Sequence, residues 1–193
     1  MVKKEPKLLS IIILSSNRFD LLQNTILSLL NTVTYPHFEF IIYNHNAGQT
    51  EGWIKLIKMV QGEYVLNCED DWFFIDRGDW VQQSIKILDE NPKVGIVRLR
   101  KDKDGQTGNK LIKKVDCGSI VDTSGFTLNP FIARTENLVE MIKDNPEISK
   151  SFLEYSLKSS FTKFRYQVAK LDEYDRKGIA IHIGWGRKVR NNK

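Results

Sequence analysis

Leu8-Leu9-Ser10-Ile11-Ile12-Ile13-Leu14 is a nearly unbroken apolar run, rich in β-branched residues. It offers no polar face to water, so it predicts a strand covered on both sides, as in a parallel sheet. Ser15-Ser16-Asn17-Arg18 breaks the run. From Phe19 to Leu30 the period changes: Leu22, Ile26, Leu29 and Leu30 recur at helical spacing, after candidate caps at Asn17 or Asp20. Tyr35-Pro36-His37 reads as a connection. Phe38 to Tyr43 is a second apolar strand, ending in the turn residues Asn44-His45-Asn46-Ala47-Gly48. Trp53, Leu56, Ile57 and Val60 form a helical stripe, with Gly62 as its stop signal. Tyr64-Val65-Leu66-Asn67-Cys68 is a third buried strand. Residues 1–70 thus read β-α-β-α-β with a polar break after each strand, the pattern of a doubly wound nucleotide-type half-domain.

The rest of the chain is less regular. Asp79 to Leu88 predicts a helix with Val81, Ile85 and Leu88 on one face, closed by Asn91-Pro92. Val94 to Leu99 predicts a strand. Lys101 to Lys114 is polar and reads as a hairpin tip or loop, and Val115 to Asp122 as a strand. Thr127 to Ala133 is apolar around Pro130, which predicts an irregular strand or a turn. Asn137 to Lys143 and Ser151 to Phe161 read as helices, Tyr166 to Leu171 and Ile179 to Ile183 as short strands. No stretch is rich enough in Gly, Pro or Ser to split the chain, so a single domain is expected over residues 1–193.

Composition narrows the class. The chain has 193 residues, enough for a substantial core, and ordinary apolar and charged fractions. The first apolar run is too short to span a bilayer and lacks a small-residue cleavage site, which argues against a signal peptide. Cys68 and Cys117 have no metal spacing, and two cysteines make no disulfide framework; the expected compartment is reducing and cytoplasmic. The net charge of +5 is mild and much of it sits at the ends, at Lys3, Lys4 and Lys7 and at Arg187, Lys188, Arg190 and Lys193. Basic ends are usually solvated tails. The excess would also suit a nucleotide diphosphate, an anionic membrane surface contacted peripherally, or nucleic acid.

The strongest chemical signal is Glu69-Asp70-Asp71-Trp72, directly after the third strand. Three adjacent acids repel one another, and solvent, a cation or a bound group must offset that. In open α/β sheets ligands bind beyond the carboxyl ends of the strands. Hard oxygen ligands suit Mg²⁺ or Mn²⁺, often shared with substrate phosphates. The cluster points to a metal–diphosphate site; the bland alternative is an acidic turn opening a solvated loop.

Taken in order, these segments resemble the GT-A fold glycosyltransferases, close to the large family 2 of inverting enzymes. Leu9-Ser10-Ile11-Ile12-Ile13-Leu14-Ser15-Ser16-Asn17-Arg18, followed by Leu22 and Leu27-Ser28-Leu29-Leu30, resembles that family's first strand and helix. Gly62 to Trp72 resembles its strand ending in a DxD-type motif. Thr127-Leu128-Asn129-Pro130-Phe131 resembles an acceptor-side segment, and His182-Ile183-Gly184-Trp185-Gly186 a closing segment whose His joins the metal shell. The resemblance implies an α/β fold with a mostly parallel central sheet flanked by helices. Residues 1–100 would form a nucleotide-sugar half and 101–193 an acceptor half. Two departures stand out: Tyr43-Asn44-His45-Asn46 replaces the family's base-holding Asp, and Glu69 opens the DxD-type motif.

The resemblance also assigns roles. Asp71 is the first choice as metal ligand, with Glu69 on the ribose or a metal-bound water and His182 completing the shell. Asp70 would hold sugar hydroxyls or orient that shell. Ser15, Asn17 and Arg18 would contact base, ribose or phosphate, and Asn44 and Asn46 the base, whose N3–H an Asn carbonyl can accept. Arg134 is a lesser candidate for diphosphate or acceptor. A carboxylate–imidazole shell suits Mn²⁺ better than Mg²⁺. The acceptor base would be Glu154, then Asp122, with Glu147 behind them. Glu154 also reads as a cap partner of Ser151, Trp72 as a core aromatic, Arg18 as a surface cation beside Asp20, and His182 as a structural histidine.

The expected activity is metal-dependent transfer of a sugar from a nucleotide-diphosphate donor, UDP-linked first, to a carbohydrate hydroxyl with inversion. A nucleotide- or glycan-binding pseudoenzyme and a nucleotidyltransferase are the near alternatives. A basic nucleic-acid module is the distant one: the acids would repel a phosphate backbone, and no nucleic-acid-binding motif is present.

Overall fold

The computed structural model describes residues 7–44, 48–100, 110–122, 126–148, 152–171 and 178–184. β1 (Leu9–Ser15) is buried along its whole length because it lies between two strands and under helices on both faces. Its alternating side chains divide between two cores: Leu9, Ile11 and Ile13 join one, Ile12 and Leu14 the other. A strand buried on both faces has no use for polar alternation, which is the origin of the continuous apolar run.

α1 (Phe19–Thr32) covers one face of the sheet, with Leu29 buried and Leu22 and Ile26 packed behind it. Leu30 points to solvent instead, 53% exposed. β2 (Phe38–Asn44) pairs in parallel with β1, and α2 (Gln49–Met59) covers the opposite face through Trp53, Leu56 and Ile57. β3 (Tyr64–Glu69) then returns to the other side of β1, again in parallel. Gly62 is not the helix stop. The helix is already finished at Met59, and a Cβ on Gly62 would lie 2.7 Å from both Leu8 O and Ser10 Oγ, so glycine lets the chain pass beside β1.

β4 (Trp72–Phe74) follows the acids directly and belongs to a separate two-stranded sheet with β10 (Ala180–His182). α3 (Trp80–Glu90) buries Val81, Ile85 and Leu88 as its period predicts, and β5 (Val94–Arg98) follows. Residues 101–109 of the expected loop lie outside the described residues. The remainder is not loop: Leu111–Val115 is β6, an exposed edge strand paired with β7 (Gly118–Val121). β8 (Phe131–Arg134) leads into α4 (Thr135–Asp144). α5 (Leu153–Lys163) precedes β9 (Gln167–Leu171).

The large sheet has eight strands in the order β2-β1-β3-β8-β5-β9-β7-β6. β8 is antiparallel to both β3 and β5, and β7 to both β9 and β6; the other six strands share one direction. The sheet is therefore mixed, with its parallel part around β1. The second half of the chain is threaded through the first, since β8 inserts between β3 and β5. No helix among the described residues is long and apolar enough to cross a membrane.

Candidate functional site

The chain leaves β1 toward β2 on one side and comes back as β3 on the other. The carboxyl ends of β1 and β3 thus flank a topological switch point, where open α/β sheets form crevices. Leu14 stands opposite Glu69 in register, and the Asp70 N–H donates to Leu14 O at 3.1 Å. The acids are thereby clamped to the end of β1 as the chain turns into β4.

Asp70 faces inward and is fully buried. Its Oδ2 accepts from Ser15 Oγ at 2.8 Å and from the Ser16 N–H at 3.0 Å, while Arg18 donates to its Oδ1. Thr25 Oγ1, from α1, donates to its carbonyl at 2.8 Å. The expected contact with sugar hydroxyls does not fit this burial: Asp70 organises the β1–α1 turn. Ser15, also fully buried, spends its hydroxyl on Asp70.

Asp71 is where the other elements meet. Arg18 Nη1 donates to its Oδ2 at 2.7 Å, and His182 Nε2, brought in by β10, lies 3.2 Å from the same oxygen. The Ile183 N–H donates to the Asp71 carbonyl at 2.9 Å. Gly184 permits this approach, since a Cβ there would lie 2.6 Å from Asp71 Oδ2. The Asp71 Oδ1 atom is buried and has no hydrogen-bond partner among the described residues. Trp72 is a core residue, and the His182 ring packs edge-on against it, 5.2 Å between centroids.

Arg18 reaches both acids because of local backbone geometry. Asn17 adopts a left-handed conformation with φ 56°, which asparagine tolerates better than most residues. A reciprocal pair fixes the turn: the Asn17 N–H donates to Asn44 Oδ1 at 2.9 Å, and Asn44 Nδ2 to Asn17 Oδ1 at 2.8 Å. Arg18, rather than Asn17 or Asp20, is then the N-cap residue of α1, and its own side chain makes no cap bond. Asn17 and Asn44, expected on the nucleotide, are first a latch between β1 and β2. Asn46 lies outside the described residues, as do Trp185 and Gly186. Burial opposes the Arg18 charge, but the Asp70 and Asp71 carboxylates outweigh it and hold its pKa above the usual arginine value.

Glu69 turns away from Asp71 toward α2, where its Oε1 accepts from Gln49 Nε2 at 2.6 Å. Burial, then the charge of Asp71, raises its pKa, against the opposing pull of Gln49. A carboxyl that binds its proton more tightly when folded favours the fold below its unfolded pKa, and loses that contribution as pH rises through the folded value. At neutral pH Glu69 is therefore a destabilising charge. Glu69→Gln keeps an acceptor for Gln49 and is expected to raise the melting temperature at pH 7.5 but not at pH 4, as read by paired thermal melts. An unchanged difference between the two pH values would contradict this. Burial also pushes the neighbouring Cys68 thiol well above its ordinary value, so it is no nucleophile.

Glu154 is half-buried in the first turn of α5, whose last turn is tied through Ser160 and Lys163 to Asp144 at the end of α4. Asp122 lies at the end of the sheet away from the acids. Val121 stands in register with Val168, Ile96, Ala133 and Val65 in turn. That puts Asp122 four strand spacings across and several residues below Glu69, on the order of 20 Å away. It pairs instead with the Lys110 N–H at 3.3 Å. Arg134 is also remote, donating to Val94 O at 3.0 Å near the amino end of β5. Glu147 is exposed beyond the end of α4, and Ser151 lies outside the described residues. The acceptor-like segment does reach the site's end: Trp53 Nε1 donates to Asn67 Oδ1 at 2.8 Å, and Asn67 Nδ2 to Leu128 O at 2.9 Å.

Among the described residues no group of three or more His, Cys, Asp and Glu side chains forms a metal-binding cluster. Asp71 and His182 come together, and Glu69 does not join them. Gln49 and Thr25 support the site without having been singled out by the sequence, whereas Gly184 stood in the closing segment beside His182.

No protein-family model and no curated protein matches the sequence. Solved structures do match. S. aureus TarS residues 1–349 in complex with UDP superposes with a TM-score of 0.61 at 16% identity, over 89% of this chain and 59% of that one. The mannosyltransferase PcManGT from Pyrobaculum calidifontis, in complex with GDP-Man and Mn²⁺, gives 0.53 at 12% identity, over 92% of this chain and 59% of that one. The chain has a GT-A fold. It spans about three-fifths of the length of these two structures. Within this GT-A fold, the cluster of Arg18, Asp70, Asp71 and His182 occupies the crevice end of the parallel strands.

Proposed function

We propose that the chain is a glycosyltransferase that moves a sugar from a nucleotide diphosphate, UDP first, to an acceptor hydroxyl with inversion. The observation that carries this is Asp71: a buried carboxylate with one unpartnered oxygen, beside His182, at the switch point of a GT-A fold. Carboxylate and imidazole together suit Mn²⁺, so Asp71 and His182 would hold it, with remaining ligands from water and diphosphate. Bound there, such an ion would act as a Lewis acid toward the departing diphosphate.

The chain's own residues supply the rest. The Asn17–Asn44 latch uses one N–H and one lone pair of the Asn44 side-chain amide and leaves that amide a second N–H and a second lone pair for a base or ribose at the edge of the crevice. Glu154 takes the proton of the acceptor hydroxyl. As that oxygen bonds to the anomeric carbon, the bond from this carbon to the diphosphate oxygen breaks, and the electron pair leaves with the nucleotide diphosphate. Glu154→Gln is expected to lower kcat by about 10²- to 10⁴-fold with donor affinity unchanged. Steady-state transfer alongside calorimetric UDP titration tests this, and retention of kcat would remove Glu154 from the role.

The reading as a whole is tested by calorimetric titration of UDP and GDP with and without Mn²⁺, followed by product analysis with sugar donors. Metal-dependent binding and release of a nucleoside diphosphate support it. Release of pyrophosphate would instead make the chain a nucleotidyltransferase, and binding with no turnover a pseudoenzyme. The second outcome has one observation in its favour, the Arg18 bridge that already pairs with both acids.

A further inference from the structure

A cation is already built into the site. Arg18 donates from one guanidinium nitrogen to Asp70 and from another to Asp71 Oδ2, the latter at 2.7 Å. The three side chains differ in access: Arg18 is 19% exposed, Asp71 7% and Asp70 0%. Arg18 is thus the most accessible of the three, although its Nε is buried without a hydrogen-bond partner among the described residues. The acids also differ in what they keep if Arg18 swings out. Asp70 retains Ser15 Oγ and the Ser16 N–H on Oδ2. Asp71 retains His182 against Oδ2, while its buried Oδ1 has no partner among the described residues. Departure of Arg18 would leave one acid supported and the other ready for a new cation.

We propose that Arg18 is an exchangeable internal counter-cation of Asp71, displaced when a divalent ion enters together with a nucleoside diphosphate. This rests on the metal-dependent reading above. A divalent ion alone must compete with a guanidinium that is covalently tethered and already seated. A diphosphate changes the balance, because the released guanidinium gains a bidentate oxygen acceptor a short swing away. Ion and diphosphate therefore bind cooperatively, each tightening the other by the same factor. Arg18 is a positioning residue in this scheme. It offsets part of the acids' charge before loading and makes loading conditional on the donor's diphosphate.

The test is Mn²⁺ binding to the whole chain, followed by electron paramagnetic resonance of free Mn²⁺, with and without saturating UDP. The wild type should bind Mn²⁺ alone weakly, and UDP should tighten it by about tenfold or more. Arg18→Met should bind Mn²⁺ alone about tenfold more tightly than wild type, and its coupling to UDP should shrink by a similar factor. If both proteins bind Mn²⁺ alone equally and UDP tightens both alike, the exchange is wrong while the metal reading stands. If neither binds Mn²⁺ even with UDP, the metal reading itself fails and the exchange with it. Because Arg18→Met strips the partner from two buried acids, a second measurement uses the unmodified protein. The Arg18 Nε–H resonance, assigned by comparison with Arg18→Lys, should shift on adding Mg²⁺ with UDP. An unmoved resonance in the presence of bound Mg²⁺ and UDP overturns the proposal independently of any variant's folding.

Discussion

Asp71→Asn is expected to lower sugar transfer by about 10²- to 10³-fold, the loss typical of one preorganised electrostatic group. The side chain keeps its size but loses its charge. The amide cannot accept at both positions, so the oxygen beside His182 and Arg18 and the unpartnered Oδ1 position no longer form one anionic group. The variant should still fold, because Arg18 retains Asp70 and the backbone bond from Ile183 to the Asp71 carbonyl is untouched. Initial rates of nucleoside diphosphate release, measured across a Mn²⁺ series beside a thermal melt, separate the two effects. Full activity with normal metal dependence would end the assignment of Asp71. Loss of activity accompanied by collapse of the melt would show only a structural role.

The second large effect falls on stability. Asp70→Ala removes the acceptor for Ser15 Oγ, the Ser16 N–H and one arm of Arg18 at a single buried point. Arg18 keeps Asp71, but the Ser15 hydroxyl and the Ser16 N–H lose their acceptor, at about 1–3 kcal/mol each. For a domain of this size each kcal/mol moves the melting temperature by roughly 2–4 °C, so a drop of about 10 °C or more is expected. Differential scanning calorimetry without ligands reads it directly. A shift of only a degree or two would mean that Ser15, Ser16 and Arg18 find water instead, and that Asp70 is not the anchor of the β1–α1 turn.

These two adjacent acids illustrate how far the sequence could be read. It located them at the end of a buried strand, and only the family resemblance gave them separate roles, because burial is decided by what packs around the turn. Thr25 of α1 and Ser15 of β1 enclose Asp70, while β10 arrives from the far end of the chain to face Asp71. The same limit explains Asp122. Its place after an apolar stretch was legible, but not the antiparallel course of β7, which carries it to the wrong end of the sheet. Exposed or very short elements were also hard to read. β6 is exposed and lysine-bearing, and β4 is three residues long with its partner strand at Ala180–His182. Gly62 was visible as a glycine, yet its reason is the passing backbone of β1 and not the end of α2.

Hydrophobic periodicity is a local property, and it alone determined the β-α-β-α-β opening, the burial of β1 and β3 and the placing of three carboxylates at the end of β3. Strand order, strand direction and register are non-local. They alone decided that Arg18 and His182 converge on Asp71, and that Asp122 lies at the other end of the sheet. The physical reason is that side-chain pattern fixes which face of an element avoids water, whereas the neighbours of a polar group are fixed only when all the elements have packed.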